Sequence, residues 1–120
     1  MDIINLVNKK LSSIQNIKYG YIFGSYADDT FTKKSDLDIA LYLENNNLDS
    51  KLQIIYELSK LLKIDVDLVV LNDTKNIYLQ ENILKYGVIV KDNIDRFDFE
   101  IKAWHNILDF KAFRRYIDAA

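Results

Sequence analysis

A Gly-Ser pair at Gly24-Ser25 is followed, after ten intervening residues, by two alternating carboxylates in Asp36-Leu37-Asp38. A tight glycine-serine turn offers backbone N–H groups and a hydroxyl, the donors that cradle phosphate oxygens. Carboxylates two residues apart offer hard oxygen ligands of the kind that suit Mg²⁺. A second acidic pair, Asp65 and Asp67, lies further along the chain. Three carboxylates on neighbouring strands would repel one another unless a cation sat between them. The chemistry this set could serve is the holding of a triphosphate against divalent metal.

That reading depends on the elements that carry the residues. Ile17 to Phe23 is β-branched and aromatic and stops at Gly24, so it reads as a strand running into the Gly-Ser loop. Gly20 inside it marks a bulge or a close backbone approach. From Asp36 to Leu43 the pattern alternates, with Leu37, Ile39, Leu41 and Leu43 on one face and Asp36, Asp38, Ala40 and Tyr42 on the other. The two aspartates then share a side, about 7 Å apart along the strand. Ile64 to Leu71 reads as a third strand with Asp65, Asp67 and Val69 on one face. Ser25 is a candidate cap for a short helix after the turn.

The remaining segments read as scaffold. Residues 2–14 carry Ile3, Ile4, Val7, Leu11 and Ile14 at helical spacing. Leu48, Leu52, Ile55, Leu58, Leu61 and Leu62 form a second helical stripe, with Asp49 or Ser50 as its cap after an Asn45-Asn46-Asn47 loop. Asn72-Asp73-Thr74 would cap a third helix that Gly87 ends in a left-handed conformation. Val88 to Val90 is a short edge strand. From Asn93 to Ala120 no breaker occurs, which predicts one long helix. Ile94, Phe97, Ile101, Trp104 and Leu108 form one stripe there, with Phe99, Phe110, Phe113 and Ile117 partly off it, more apolar surface than one small sheet needs.

Composition sets outer bounds. At 120 residues and 49% hydrophobic, the chain fits one compact domain over residues 1–120. The net charge of -2 and pI near 5.3 give no strong electrostatic footprint for duplex nucleic acid, and direct nucleic-acid binding is not expected. Cysteine and proline are absent, which removes disulfides, thiolate metal sites and cysteine nucleophiles. No signal-peptide core or apolar run of membrane-spanning length occurs, so the expected location is cytoplasmic, away from any membrane.

The pattern G-S-x10-D-x-D resembles the signature of the nucleotidyltransferase superfamily related to DNA polymerase beta, and Val66-Asp67-Leu68-Val69 resembles the strand bearing its third carboxylate. The match covers about residues 17–71. The chain's size and its C-terminal run from Arg96 to Glu100, followed by an aromatic helix, resemble the minimal nucleotidyltransferase branch, the antitoxin half of HEPN/MNT toxin–antitoxin pairs. The resemblance implies an α/β fold with a small mixed sheet and a C-terminal partner-binding helix over about residues 93–119. It implies that Gly24 and Ser25 bind the phosphates of ATP, and that Asp36, Asp38 and Asp67 hold two Mg²⁺ ions and form the catalytic set. Asp67 would take the proton from the attacking hydroxyl. The implied activity is transfer of AMP from ATP to a tyrosine of a cognate HEPN toxin, an RNase.

Other readings of the same residues stand beside this one. Asp65 shares a face with Asp67 and is a rival third ligand. Lys33 and Lys34 could neutralise phosphate, though loop lysines are ordinarily just solvated. His105, the one histidine, has no neighbouring ligand set and is assigned a structural or interface place. Trp104, Phe110 and Phe113 divide between core and partner contact. The alternative functions are a non-catalytic antitoxin that occludes its toxin and a small-molecule nucleotidyltransferase, which would ordinarily need a further substrate-binding domain.

Overall fold

Residues 2–119 are described by this computed structural model; Met1 and Ala120, the ends of the expected domain and the last residue of the expected C-terminal helix, lie outside the described residues. In chain order the elements are α1 (Ile3–Ser12), β1 (Ile17–Phe23), a one-turn 3₁₀ helix (Gly24–Tyr26), β2 (Leu37–Leu43), α2 (Leu48–Leu62), β3 (Val66–Val70), α3 (Ile77–Tyr86), β4 (Val88–Lys91) and α4 (Asp95–Ala119). The sheet order is β3-β2-β1-β4. Strand β1 runs antiparallel to β2 and β4, while β2 and β3 are parallel, joined through α2. The expected mixed sheet and the edge position of Val88 to Val90 are therefore present.

Strand alternation divides the core in two. Leu37, Ile39, Leu41 and Leu43 of β2 pack with Val7 and Leu11 of α1 and Ile54, Leu58 and Leu62 of α2. On the opposite face Tyr19, Tyr21, Phe23 and Ala40 pack with Ile83 of α3 and Phe99 of α4. A register shift between Ile17 and Tyr19 lets Ile17 join the first cluster while Tyr19 joins the second. Gly20 is a close approach: a Cβ there would lie 2.3 Å from Leu41 Cδ2 and 2.9 Å from the Ala40 carbonyl oxygen.

Several local expectations are corrected. The core face of α2 is Ile54, Leu58 and Leu62; Leu48, Leu52 and Leu61 face outward, with Leu52 54% exposed. A leucine-rich helix has more than one apolar arc, and only docking on the sheet selects between them. The α2 cap is Asn47, whose side chain accepts from the Ser50 N–H at 2.8 Å, so Asp49 and Ser50 fall inside the first turn. Asn76 caps α3, because Asn72 is diverted to bond the Leu43 backbone at both N–H and C=O. Gly87 is extended at φ -67° and ψ 148°, not left-handed. Its side-chain hydrogen is required by space, since a Cβ would sit 2.4 Å from the Ile83 carbonyl oxygen.

Helix α4 confirms the long C-terminal helix and settles which of its apolar arcs meets the sheet. Phe99, Ala103 and Ile107 turn toward the body, whereas Ile94, Phe97, Ile101 and Leu108 are exposed and Trp104 is half-buried. Polar contacts fix this rotation. The Tyr21 hydroxyl donates to Glu100 Oε1 at 2.7 Å, and Arg96 pairs with both Glu100 at 3.0 Å and Asp92 at 2.7 Å. Burial first, then the Glu100 hydrogen bond, pushes the Tyr21 phenol well above its usual range. Further along, Lys111 pairs with Glu81 of α3, and Phe110 meets Tyr78 edge-on at 5.7 Å. His105 and Phe113 are exposed.

The two arcs of α2 give a stability test. Leu58→Ala should cost about 2–5 kcal/mol in denaturant unfolding, whereas Leu52→Ala should cost less than about 1 kcal/mol. Equal losses would contradict the observed docking of α2.

Candidate active site

The site is built where β1 ends beside the start of β2. Phe23, the last residue of β1, is the ladder partner of Asp38. The chain then turns at Gly24, whose φ of +72° lies in the left-handed region that a side chain disfavours. A Cβ on Gly24 would stand 2.3 Å from Asp38 Oδ2 and 3.2 Å from its Cγ. Glycine is thus demanded twice, by its backbone angle and by the carboxylate pressed against it. The 3₁₀ turn is closed by Ala27 N–H and Asp28 N–H donating to the Gly24 carbonyl at 3.0 and 3.2 Å, and by Thr30 N–H donating to the Ser25 carbonyl at 3.0 Å. Ser25 lies inside this turn, half-buried; the residue at its N-terminal cap is Phe23, with no side-chain cap, so Ser25 is not the helix cap expected from sequence.

The parallel pairing of β2 with β3 sets the third carboxylate. Asp38 and Asp67 are direct ladder partners, as are Leu37 and Val66, and the Leu37 N–H donates to the Asp65 carbonyl at 2.9 Å. Parallel neighbours keep side chains of matching parity on one face, so Asp38 and Asp67 stand side by side at adjacent strands. Asp65 lies one step outward, level with Asp36, which precedes the first residue of β2. Ordering by register brings Gly24, Asp38 and Asp67 together, with Asp36 and Asp65 at the rim.

The electrostatics follow from this crowding. Burial, then the charge of Asp67, then that of Asp36 raise the Asp38 carboxyl above the usual carboxylate range. Folding thus disfavours the ionised Asp38, and the stability present at low pH is lost as pH rises through its folded pKa. Among the described residues, no three His, Cys, Asp or Glu side chains stand close enough to hold a metal ion. The donor set itself, all carboxylate oxygen against a turn rich in backbone N–H, fits a hard divalent cation and an anionic ligand.

A cleft of about 370 Å³ borders Asp36, lined by Lys33, Lys34, Ser35, Lys63, Ile64 and Asp65. Lys33 and Lys34 were singled out by sequence; Lys63 was not. Lys63 is the left-handed cap of α2 at φ 57°, and nothing in its local sequence links it to residues 33–36. On the far side of the turn, Phe31 stacks on Tyr26 at 4.5 Å, and Tyr26 is anchored in the core under α1 and α2.

Comparison with known proteins bears on this geometry. A family model described as polymerase beta, nucleotidyltransferase, matches residues 3–96. Two relatives from Methanocaldococcus jannaschii, to which protein adenylyltransferase activity is ascribed, are 36% identical over 83 residues and 33% identical over 85 residues. Each alignment spans 68% of this chain and 85% of the relative. A chain from the crystal structure of a toxin–antitoxin with AMP-PNP superposes with a TM-score of 0.79 at 23% identity, covering 99% of this chain and 97% of that one. A chain from the complex of a tri-AMPylated Shewanella oneidensis HEPN toxin with MNT antitoxin does so with a TM-score of 0.72 at 23% identity, covering 97% and 96%. At that identity the superpositions show a shared fold.

The ladder pairing of Asp38 with Asp67 predicts a charge penalty. Asp38→Asn should raise the unfolding midpoint of the protein in chelator, by up to about 1 kcal/mol for relief of directly opposed like charges, with unchanged secondary structure by circular dichroism. A loss of stability would mean that the two carboxylates do not oppose one another.

Proposed function

The chain belongs to the polymerase beta nucleotidyltransferase family, and from that premise we propose that it is a protein adenylyltransferase acting as an antitoxin, transferring AMP from ATP to a tyrosine of a cognate HEPN-type toxin. The observation that carries the reaction class is the left-handed Gly24 seated on Asp38, with Asp67 opposite it on the parallel strand. The acceptor and partner are supported by relatives to which protein adenylyltransferase activity is ascribed and by a solved neighbour that pairs an MNT antitoxin with an AMPylated HEPN toxin.

In this reading the turn after β1 binds the β- and γ-phosphates through Ser25 and the adjoining backbone N–H groups, the anion-binding geometry of successive amides. Asp36, Asp38 and Asp67 would hold two Mg²⁺ ions, which when bound neutralise charge on the transferring phosphoryl group and its leaving group. Asp67 accepts the proton of the tyrosine hydroxyl. The phenolic oxygen forms its bond to the α-phosphorus as the bond from that phosphorus to the α,β-bridging oxygen breaks, and pyrophosphate leaves. The chain's contribution is positioning, since phosphoryl-type transfer asks little covalent chemistry of the protein. The C-terminal helix supplies the partner-binding surface. Among the described residues no helix is long and apolar enough to cross a membrane.

The test is incubation of the protein with labelled ATP, Mg²⁺ and its toxin, followed by peptide mapping for AMP-tyrosine. The Asp36→Asn and Asp38→Asn double variant should lose at least ~10²-fold in labelling rate, while unfolding cooperatively at a midpoint no lower than the wild type's. Labelling that survives this change sinks the assignment. Protection from toxicity that persists without labelling would favour the non-catalytic antitoxin.

A further inference from the structure

Two segments of the chain carry one pattern: Lys34-Ser35-Asp36-Leu37-Asp38 and Lys63-Ile64-Asp65-Val66-Asp67, each a lysine ahead of two alternating aspartates. The sheet brings them side by side. Strands β2 and β3 run parallel with Leu37 beside Val66 and Asp38 beside Asp67, and the Leu37 N–H reaches the Asp65 carbonyl at 2.9 Å. Carried outward, the same register sets Asp36 level with Asp65 and Lys34 level with Lys63. Lys34, Asp36, Lys63 and Asp65 do line one cleft of about 370 Å³.

The outer end of that cleft is basic. Lys33, Lys34 and Lys63 enter no salt bridge among the described residues, so three ammonium groups stand against the carboxylates of Asp36 and Asp65. The backbones that carry them are fixed. The turn before β2 is closed by the Ser35 N–H on the Thr32 carbonyl at 3.1 Å and the Thr32 N–H on the Ser35 hydroxyl at 2.8 Å. Lys63 ends α2 at φ 57°, its N–H donating to the Ser59 carbonyl at 2.8 Å. Glycine ordinarily takes such a left-handed position, because a Cβ is strained there. A lysine kept against that preference, beside the candidate catalytic carboxylates, is a local misfit of the kind found at functional sites.

Lysines gathered at the head of two strands repel one another unless a multiply charged anion lies between them. Position identifies the anion. In the nucleotidyltransferase reading Asp38 and Asp67 stand at the reacting phosphate; Asp36 and Asp65 lie one two-residue step outward, about 7 Å, and the lysines lie beyond. Strand β1 ends level with Asp38, so the Gly24-Ser25 turn also leaves the sheet outward of it, on the opposite flank of β2. A phosphate chain leading away from Asp38 therefore passes between the turn and the lysines.

We propose that Lys34 and Lys63 bind the terminal phosphates of the nucleotide and so select a triphosphate over a monophosphate. This rests on the nucleotidyltransferase reading and adds to it a residue, Lys63, from outside the G-S-x10-D-x-D segment. Calorimetric titration of the full chain with AMP-PNP, inorganic pyrophosphate and AMP, each with Mg²⁺, reads binding without turnover. The Lys34→Met and Lys63→Gly double variant should weaken AMP-PNP and pyrophosphate at least ~tenfold and leave AMP unchanged, whereas Lys63→Arg alone keeps the wild-type affinity. The melting midpoint of Lys63→Gly should not fall, because glycine suits the left-handed position. Unchanged AMP-PNP affinity, an equal loss for AMP, or a loss confined to pyrophosphate overturns the proposal. So does slower toxin labelling at unchanged AMP-PNP affinity, which would give the lysines to the acceptor protein. A chain that labels its toxin but binds AMP-PNP independently of these lysines keeps the adenylyltransferase activity and loses this site; one that binds AMP-PNP through them but labels nothing does the reverse.

Discussion

The left-handed turn of Gly24 against the Asp38 carboxylate is the constraint on which the site's geometry rests. It needs a strand that ends at Phe23, an antiparallel neighbour whose register brings Asp38 alongside, and a residue with no side chain at the junction. Each requirement is met by a different level of structure: β-propensity, sheet pairing and glycine's freedom at positive φ. Parallel pairing of β2 with β3 then adds a second carboxylate directly beside the first. The protein accepts a raised Asp38 carboxyl as the cost of that arrangement.

The two faces of the sheet explain how so small a chain tolerates this. One face is sealed by α1 and α2, which pack on the aliphatic side chains of β2 from Leu37 to Leu43. The other face is aromatic, with Tyr19 stacked on Tyr42 at 5.0 Å and Phe99 of α4 meeting both rings. Polar groups finish that side: Glu100 takes the Tyr21 hydroxyl and is neutralised by Arg96. A single helix is thus tied to the sheet by one arc and turns a second, apolar arc away from it.

Much of this was readable from residue order. The strand ahead of the Gly-Ser turn, the alternating Asp36 to Leu43 segment and the acidic third strand were found within one or two residues of their observed limits. These signals are strong because period-two alternation and glycine punctuation are local. Caps were placed poorly: Asn47 and Asn76 cap α2 and α3, while Asn72 is taken by a distant backbone segment. Competing asparagines look alike until tertiary contacts claim one of them. The core face of α2 was misassigned and that of α4 left open for a related reason, since each helix carries two apolar arcs and sequence periodicity does not say which one the sheet accepts.

By itself, then, the sequence determined the order of the Gly-Ser turn and the carboxylates and the strands that bear them, because those depend on spacing along the chain. It left Asp65 and Asp67 as rivals. Only the β2–β3 register, a pairing between segments some thirty residues apart, put Asp67 opposite Asp38 and Asp65 at the rim. The same holds for Lys63, brought to the cleft by the left-handed end of α2, and for the apolar seam of α4, left outside by the contacts that rotate the helix. Which atoms meet is a property of packing and register, and neither is written in any one segment.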